Sequence, residues 1–143
     1  MLLTAPGELT TSYQMPPEPV QVRRAREQAR AALPGWGLAA HAGLAELIVS
    51  ELVSNAIMHG DGQIEVQLSY ISGGLRTEVH DEGHGRPIRR RPAADCERGR
   101  GLELIDGLIE LYGGMRGVID DLDCPGKTVY VTVCLAPDPE GTP

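Results

Sequence analysis

The spacing of apolar positions along this chain changes period several times, and each change predicts an element. From Val20 to Leu33 the run VQVRRAREQARAAL is rich in Ala and Arg and puts Val20, Ala25, Ala29 and Leu33 on roughly one face. That pattern predicts a helix, stopped by Pro34-Gly35 and preceded by Pro16, Pro17 and Pro19, where proline is tolerated. A second helix is predicted from about Ala39 to His59, ended by Gly60-Asp61-Gly62. The period then drops to two. Ile64, Val66, Leu68 and Tyr70 alternate with Glu65, Gln67 and Ser69, and Leu75, Thr77 and Val79 alternate with Arg76, Glu78 and His80. Ser72-Gly73-Gly74 between these runs reads as a hairpin turn. Residues 82–98 have no period and are rich in Gly, Pro and Arg, a length typical of functional lids or disordered segments. GLELIDGLIELY, 101–112, reads as a third helix. Two last strands are predicted around Met115–Ile119 and Lys127–Leu135, joined by the acidic turn Asp120-Asp121-Leu122-Asp123. Residues 8–14, ELTTSYQ, fit an edge strand.

Hairpins dominate the strands while helices interleave with them. The expected class is therefore α+β: a two-layer α/β sandwich with a mixed, mostly antiparallel sheet and three helices on one face. The expected organisation is a flexible arm over 1–7, one domain over 8–135 and a disordered tail over 136–143. The length of 143 residues suits a single domain with a real core.

Charge narrows the function. Lys+Arg total 13 against 20 Asp+Glu, a net charge of −7, the wrong sign for a protein that lives on a nucleic-acid backbone. Three widely spaced cysteines, Cys96, Cys124 and Cys134, with no C-x-x-C argue against a disulfide scaffold and structural zinc, and fit a reducing cytoplasm. No apolar run approaches the ~18 residues of a spanning helix, and the N-terminal residues lack a signal-peptide pattern, so a membrane partner is not expected. Phe is absent, so the core must be aliphatic.

The candidate chemistry lies on inward-facing polar residues. At ~100° per residue, with the stripe of the second helix anchored on Leu44, Glu51 and Asn55 fall in its middle. Inward carboxylates and amides are costly unless paired or ligating. Asp81 continues the Leu75, Thr77, Val79 face by parity, although a strand-end Asp also caps turns. Asp81-Glu82-Gly83-His84-Gly85 follows, with glycines that let backbone approach a ligand. Gly99-Arg100-Gly101 precedes the third helix, where free amides make an anion site. Arg86, Arg89, Arg90, Arg91, Arg98 and Arg100 make phosphate the natural anion, although an arginine loop can equally be a solvated one. Asn55 with phosphate oxygens and waters suits Mg²⁺ better than zinc. Gly126-Lys127-Thr128 imitates the end of a Walker A motif, but Asp121 stands where its first glycine belongs and a strand follows instead of a helix.

In combination, ELVSNAIMHG (51–60), DEGHG (81–85), GRGLELI (99–105) and the closing GKTVYVTV (126–133) resemble the boxes of the GHKL, or Bergerat-fold, ATPases. The pattern is most similar to stand-alone anti-sigma-factor serine/threonine kinases of actinobacterial type, and it covers about residues 8–135. The resemblance implies ATP and Mg²⁺ as cofactors. It implies that Asn55 holds the metal, Asp81 accepts from the adenine amine, and Gly83 and Gly85 let the lid pass the nucleotide. Gly99, Arg100, Gly101 and Leu102 would face the phosphates, Thr128 would support adenine, and Glu51 would be the general base. The closing strand's own alternation puts Val129, Val131 and Val133 on the face opposite Thr128. The implied partners are proteins, a sigma factor or its antagonist, with no direct nucleic acid; a homodimer is implied by resemblance alone. The alternative reading is a non-catalytic ATP-binding module that captures a partner.

Overall fold

In the computed structural model, which describes residues 9–83, 95–123 and 125–139 and only the backbone over 95–101, every predicted element is present. β1 (Leu9–Met15) precedes α1 (Gln21–Ala32) and α2 (Ala42–His59). The hairpin β2 (Ile64–Ile71) and β3 (Gly74–Asp81) follows, then α3 (Asp95–Tyr112), β4 (Gly114–Asp120) and β5 (Lys127–Cys134). Residues 39–41, expected as the start of the second helix, form a separate 3-10 turn instead. The arm over 1–7 lies outside the described residues.

The strands form one sheet in the order β1-β2-β3-β5-β4, with every neighbouring pair antiparallel. The sheet is thus fully antiparallel instead of mixed. The reason is topological: β3 and β4, joined through α3, run in the same direction, but β5 lies between them. The β2–β3 turn holds two residues, Ser72 and Gly73, because Ile71 already pairs with Gly74. Both have positive φ (53° and 81°), the primed geometry that matches strand twist.

The core lies on one face of the sheet. Ile64, Val66 and Leu68 of β2, Leu75 and Val79 of β3, and Val131 and Val133 of β5 are buried there. Against them α2 sets Ala45, Ile48, Val49, Leu52, Val53 and Ala56. Helix α1 packs chiefly on α2 and buries Ala25 and Ala29, small residues that allow close approach, with an Arg30–Glu46 pair on the rim. Tyr13 of β1 donates to the Ala25 carbonyl (3.3 Å), and burial raises its phenol pKa. Helix α3 buries Ile105 and lies over β4 and β5.

Residues 136–139, assigned to the tail by their composition, are held in the structure. The Asp138 amide donates to the Gly37 carbonyl at 2.7 Å, and the Leu135 carbonyl accepts from the Tyr70 hydroxyl at 2.7 Å. Residues 140–143 lie outside the described residues.

Leu52 is 1% exposed at the centre of the helix–sheet contact. Leu52→Ala is expected to cost about 2–5 kcal/mol through lost burial and the cavity left behind. Urea unfolding checks this: the midpoint falls while the slope stays unchanged.

Candidate functional site

The end of α2 and the end of β3 are locked together around one buried carboxylate. Asp81 closes β3 on the core face and is 2% exposed. A lone carboxylate in that position is expensive, so its partners matter. Its Oδ1 accepts from the Asp61 amide at 3.3 Å, and its Oδ2 accepts from the Lys127 ammonium at 2.8 Å. Lys127 stands directly opposite Asp81 across the β3–β5 ladder, which is why the two side chains share a face. The loop after α2 is tied to the same strand end: the Glu82 and Gly83 amides both donate to the Asp61 carbonyl, at 2.8 and 3.1 Å. Glu82 in turn accepts from the Gln63 amide at 3.1 Å.

Two glycines make this closeness feasible. A Cβ on Gly60 would sit 2.6 Å from Asp81 Cγ and Oδ2 and 2.7 Å from the Ala56 carbonyl, contacts that real Cβ atoms do not make. Gly83 has φ +65°, and a Cβ there would strike the Pro125 carbonyl. Gly60 and Gly83 are therefore needed for backbone packing.

Asn55 lies one residue before Ala56 and five before Gly60, so it shares the end of α2 that abuts Asp81. Glu51 is one helical turn earlier. Both are half-buried, so neither is in the middle of the apolar stripe as expected. The stripe is instead centred on Ala45, Val49, Leu52, Val53 and Ala56. Packing against both α1 and the sheet rotates the buried arc towards the small residues, leaving the Leu44 side at its margin. Glu51 and Asn55 thus border the core, a position from which polar groups reach a ligand without full desolvation.

Two further expectations change. Thr128 pairs with His80 and faces the other side of the sheet, lining a groove of ≈ 210 Å³ with Glu65, Gln67, Glu78 and His80. It does not share a face with Asp81, so its assigned role beside adenine is not met by this geometry. Its neighbour Lys127 faces Asp81 instead. The third helix starts at Asp95 instead of Gly101. Gly99, Arg100 and Gly101 therefore lie inside it, behind the first turn whose amides are unpaired. Leu102 follows and is half-buried. Gly85, the lid arginines Arg86 to Arg91, and the side chains of Arg98 and Arg100 lie outside the described residues. Lys127 was hidden in the sequence by the Walker-like triplet around it. Its parity with Val129, Val131 and Val133 was the signal that places it inward.

The donor set fits Mg-ATP. Among the described residues no three His, Cys, Asp or Glu side chains group to cage a metal alone. An Asn amide oxygen with ligand phosphates and waters is the arrangement Mg²⁺ accepts. Gly60 packs so closely on the buried Asp81 carboxylate that no Cβ fits between them, and a carboxylate is an acceptor suited to a base amine.

The family model for the histidine kinase-like ATPase domain matches residues 15–132, and the chain belongs to that family. This makes it an ATP-binding domain. Among solved structures, the chain is similar to the histidine kinase domain of the blue-light activated histidine kinase of Erythrobacter litoralis EL346, at 22% identity and a TM-score of 0.46. That match covers 85% of this chain and 62% of the other. A comparison with curated proteins finds no match. Among the described residues no helix is long and apolar enough to cross a membrane.

Gly60→Ala is expected to push the α2 end away from Asp81. Overpacking of this kind costs about 1–3 kcal/mol. Thermal unfolding should report the loss, and isothermal calorimetry should show weakened nucleotide binding.

Proposed function

We propose that this protein is a serine/threonine protein kinase of the anti-sigma-factor type, which takes Mg-ATP between α2 and the β3 end and phosphorylates a small antagonist protein. The observation that carries the reading is the approach of the α2 end to buried Asp81, with Asn55 in the last turns of that helix and Glu51 one turn before it. Asn55 would hold the metal, and Asp81 would accept a hydrogen bond from the base. When bound, Mg²⁺ supplies charge neutralisation across the phosphates, the main requirement of phosphoryl transfer besides positioning. Glu51 would act as general base. As the serine oxygen bonds to the γ-phosphorus and the bond to the ADP oxygen breaks, the Glu51 carboxylate takes the hydroxyl proton. Its place at the border of the core keeps it accessible to an incoming side chain.

The partner would be a protein presenting a serine or threonine, a sigma-factor antagonist, with the sigma factor itself as a second protein ligand. The net charge of −7 speaks against nucleic acid as the direct target.

Two measurements test the reading. Mg-ATP at about 100 times its Kd should stabilise the fold by about 2.7 kcal/mol, read as a thermal shift. Asn55→Ala should abolish this shift, and an unchanged affinity by calorimetry would remove the metal role from Asn55. Glu51→Ala should keep ATP affinity and lose transfer of labelled phosphate to candidate antagonists. Full single-turnover activity in that variant would place the base elsewhere, and absence of transfer in wild type with every antagonist would favour the non-catalytic capture module.

A further inference from the structure

Among the described residues, seven of the ten exposed large hydrophobic side chains lie between Leu104 and Leu122, on α3, β4 and the turn after it. Strand β4 ends the sheet, and among the described residues no strand pairs with its outer edge. All of its residues but Gly117 are exposed, with Met115 at 57%, Val118 at 56% and Ile119 at 51%. It carries neither proline nor lysine, residues that commonly guard such an edge against pairing. The opposite edge, β1, exposes Thr10, Ser12 and Gln14 instead. We propose that β4 is an isologous interface: a second copy of this chain pairs its own β4 antiparallel to it across a two-fold axis at Val118, and the two sheets become one.

The backbone decides which groups this edge offers. The Asp121 amide donates to the Gly126 carbonyl and the Cys134 amide to the Gly113 carbonyl, both at 2.9 Å. These two pairs continue the β4–β5 register by one step at either end. Odd-numbered residues along β4 therefore turn their amides and carbonyls to β5. Gly114, Arg116, Val118 and Asp120 turn theirs to the free edge. A second β4 must then meet the first with even-numbered residues opposite even-numbered ones, which any two-fold axis through a residue satisfies.

Charge complementarity selects the axis and the occupant. With Val118 on the axis, Arg116 of each copy stands opposite Asp120 of the other, so two ion pairs flank a valine pair. An axis at Gly117 sets Arg116 against Val118 and Asp120 against Gly114, and an axis at Ile119 sets Asp120 against Val118. Arg116 uses Nε and one terminal nitrogen on Asp106, at 2.6 and 3.2 Å, and keeps three N–H donors for a second carboxylate. Asp120 is exposed and forms no ion pair among the described residues. On the outer face, Ile119 of one copy comes opposite Gly117 of the other. The Tyr130 ring covers Gly117 so closely that a Cβ there would lie 2.6 Å from its hydroxyl oxygen. The isoleucine thus packs on an aromatic ring instead of bare backbone.

Sedimentation velocity on the full chain tests the interface, at an ionic strength of about 0.15 M that screens exposed charges beyond about 8 Å. Wild type at tens of micromolar should sediment as a dimer. Val118→Lys sets two ammonium groups opposite each other on the axis and should sediment as a monomer with unchanged far-ultraviolet circular dichroism. Asp120→Arg sets guanidinium groups against each other at both ends, should also be monomeric, and decides the matter if Val118→Lys fails to fold. The register has its own readout in a Cys96→Ser, Cys124→Ser, Cys134→Ser background. There Val118→Cys should cross-link two copies on oxidation, since opposed residues lie about 5.5 Å apart between Cα atoms, within disulfide range. Ile119→Cys, offset diagonally from its own copy, should not. A monomeric wild type overturns the proposal. So does a dimer that persists in a folded Val118→Lys or Asp120→Arg, because its contact then lies elsewhere. Cross-linking through Ile119→Cys instead of Val118→Cys overturns the axis and the charge pairing with it. None of these readouts involves nucleotide, so the ATP reading is tested separately.

Discussion

Burying the Asp81 carboxylate constrains everything around it. Taking such a group from water costs several kcal/mol even after relaxation, and only close, well-placed partners offset it. Here the partners come from two directions: the Lys127 ammonium across the sheet and the Asp61 amide from the loop after α2. Satisfying both fixes the β3–β5 register at one end and pulls the end of α2 onto the strand. Gly60 must then lack a side chain. A polar requirement at one atom pair thereby positions Asn55 and the helix end that carries it.

The sheet separates two chemistries by parity alone. Odd positions of β3 and β5, Leu75 to Asp81 and Lys127 to Val133, face the helices. Even positions face away, where Glu78, His80 and Thr128 line a separate polar groove and His80 meets Asp121 at 2.8 Å. A one-residue slip would exchange these sets and leave an unpaired acid in the core. The alternating valines of β5 hold the register on one side, and the Asp81–Lys127 pair holds it at the end. Arg76 lies 4.1 Å over the Tyr130 ring on the outer face, a contact of the same register.

Helix α2 carries two duties on one cylinder. Its small and branched residues, Ala45, Val49, Val53 and Ala56, fill the narrow space between α1 and the sheet. The adjoining margin holds Glu51 and Asn55, half-buried. Polar groups so placed keep part of their hydration and remain available to a ligand. Full burial would demand permanent partners instead.

The chain's own pattern determined the strands, the C-terminal end of α2, the β2–β3 turn and the inward parity of Asp81, because each depends on neighbours a few residues apart. Period-two alternation and the turn chemistry of Ser72-Gly73 are local and survive in any context. The order of the sheet was not legible, since inserting β5 between β3 and β4 depends on which edge remains free once β2 and β3 have paired. Nor was the true centre of the α2 stripe, which two packing neighbours set jointly and which one helix viewed alone assigns to its largest side chains. Lys127 is the sharpest case. It reaches Asp81 across 46 residues of chain through strand register, and only assembly of the sheet gives its charge a carboxylate to neutralise.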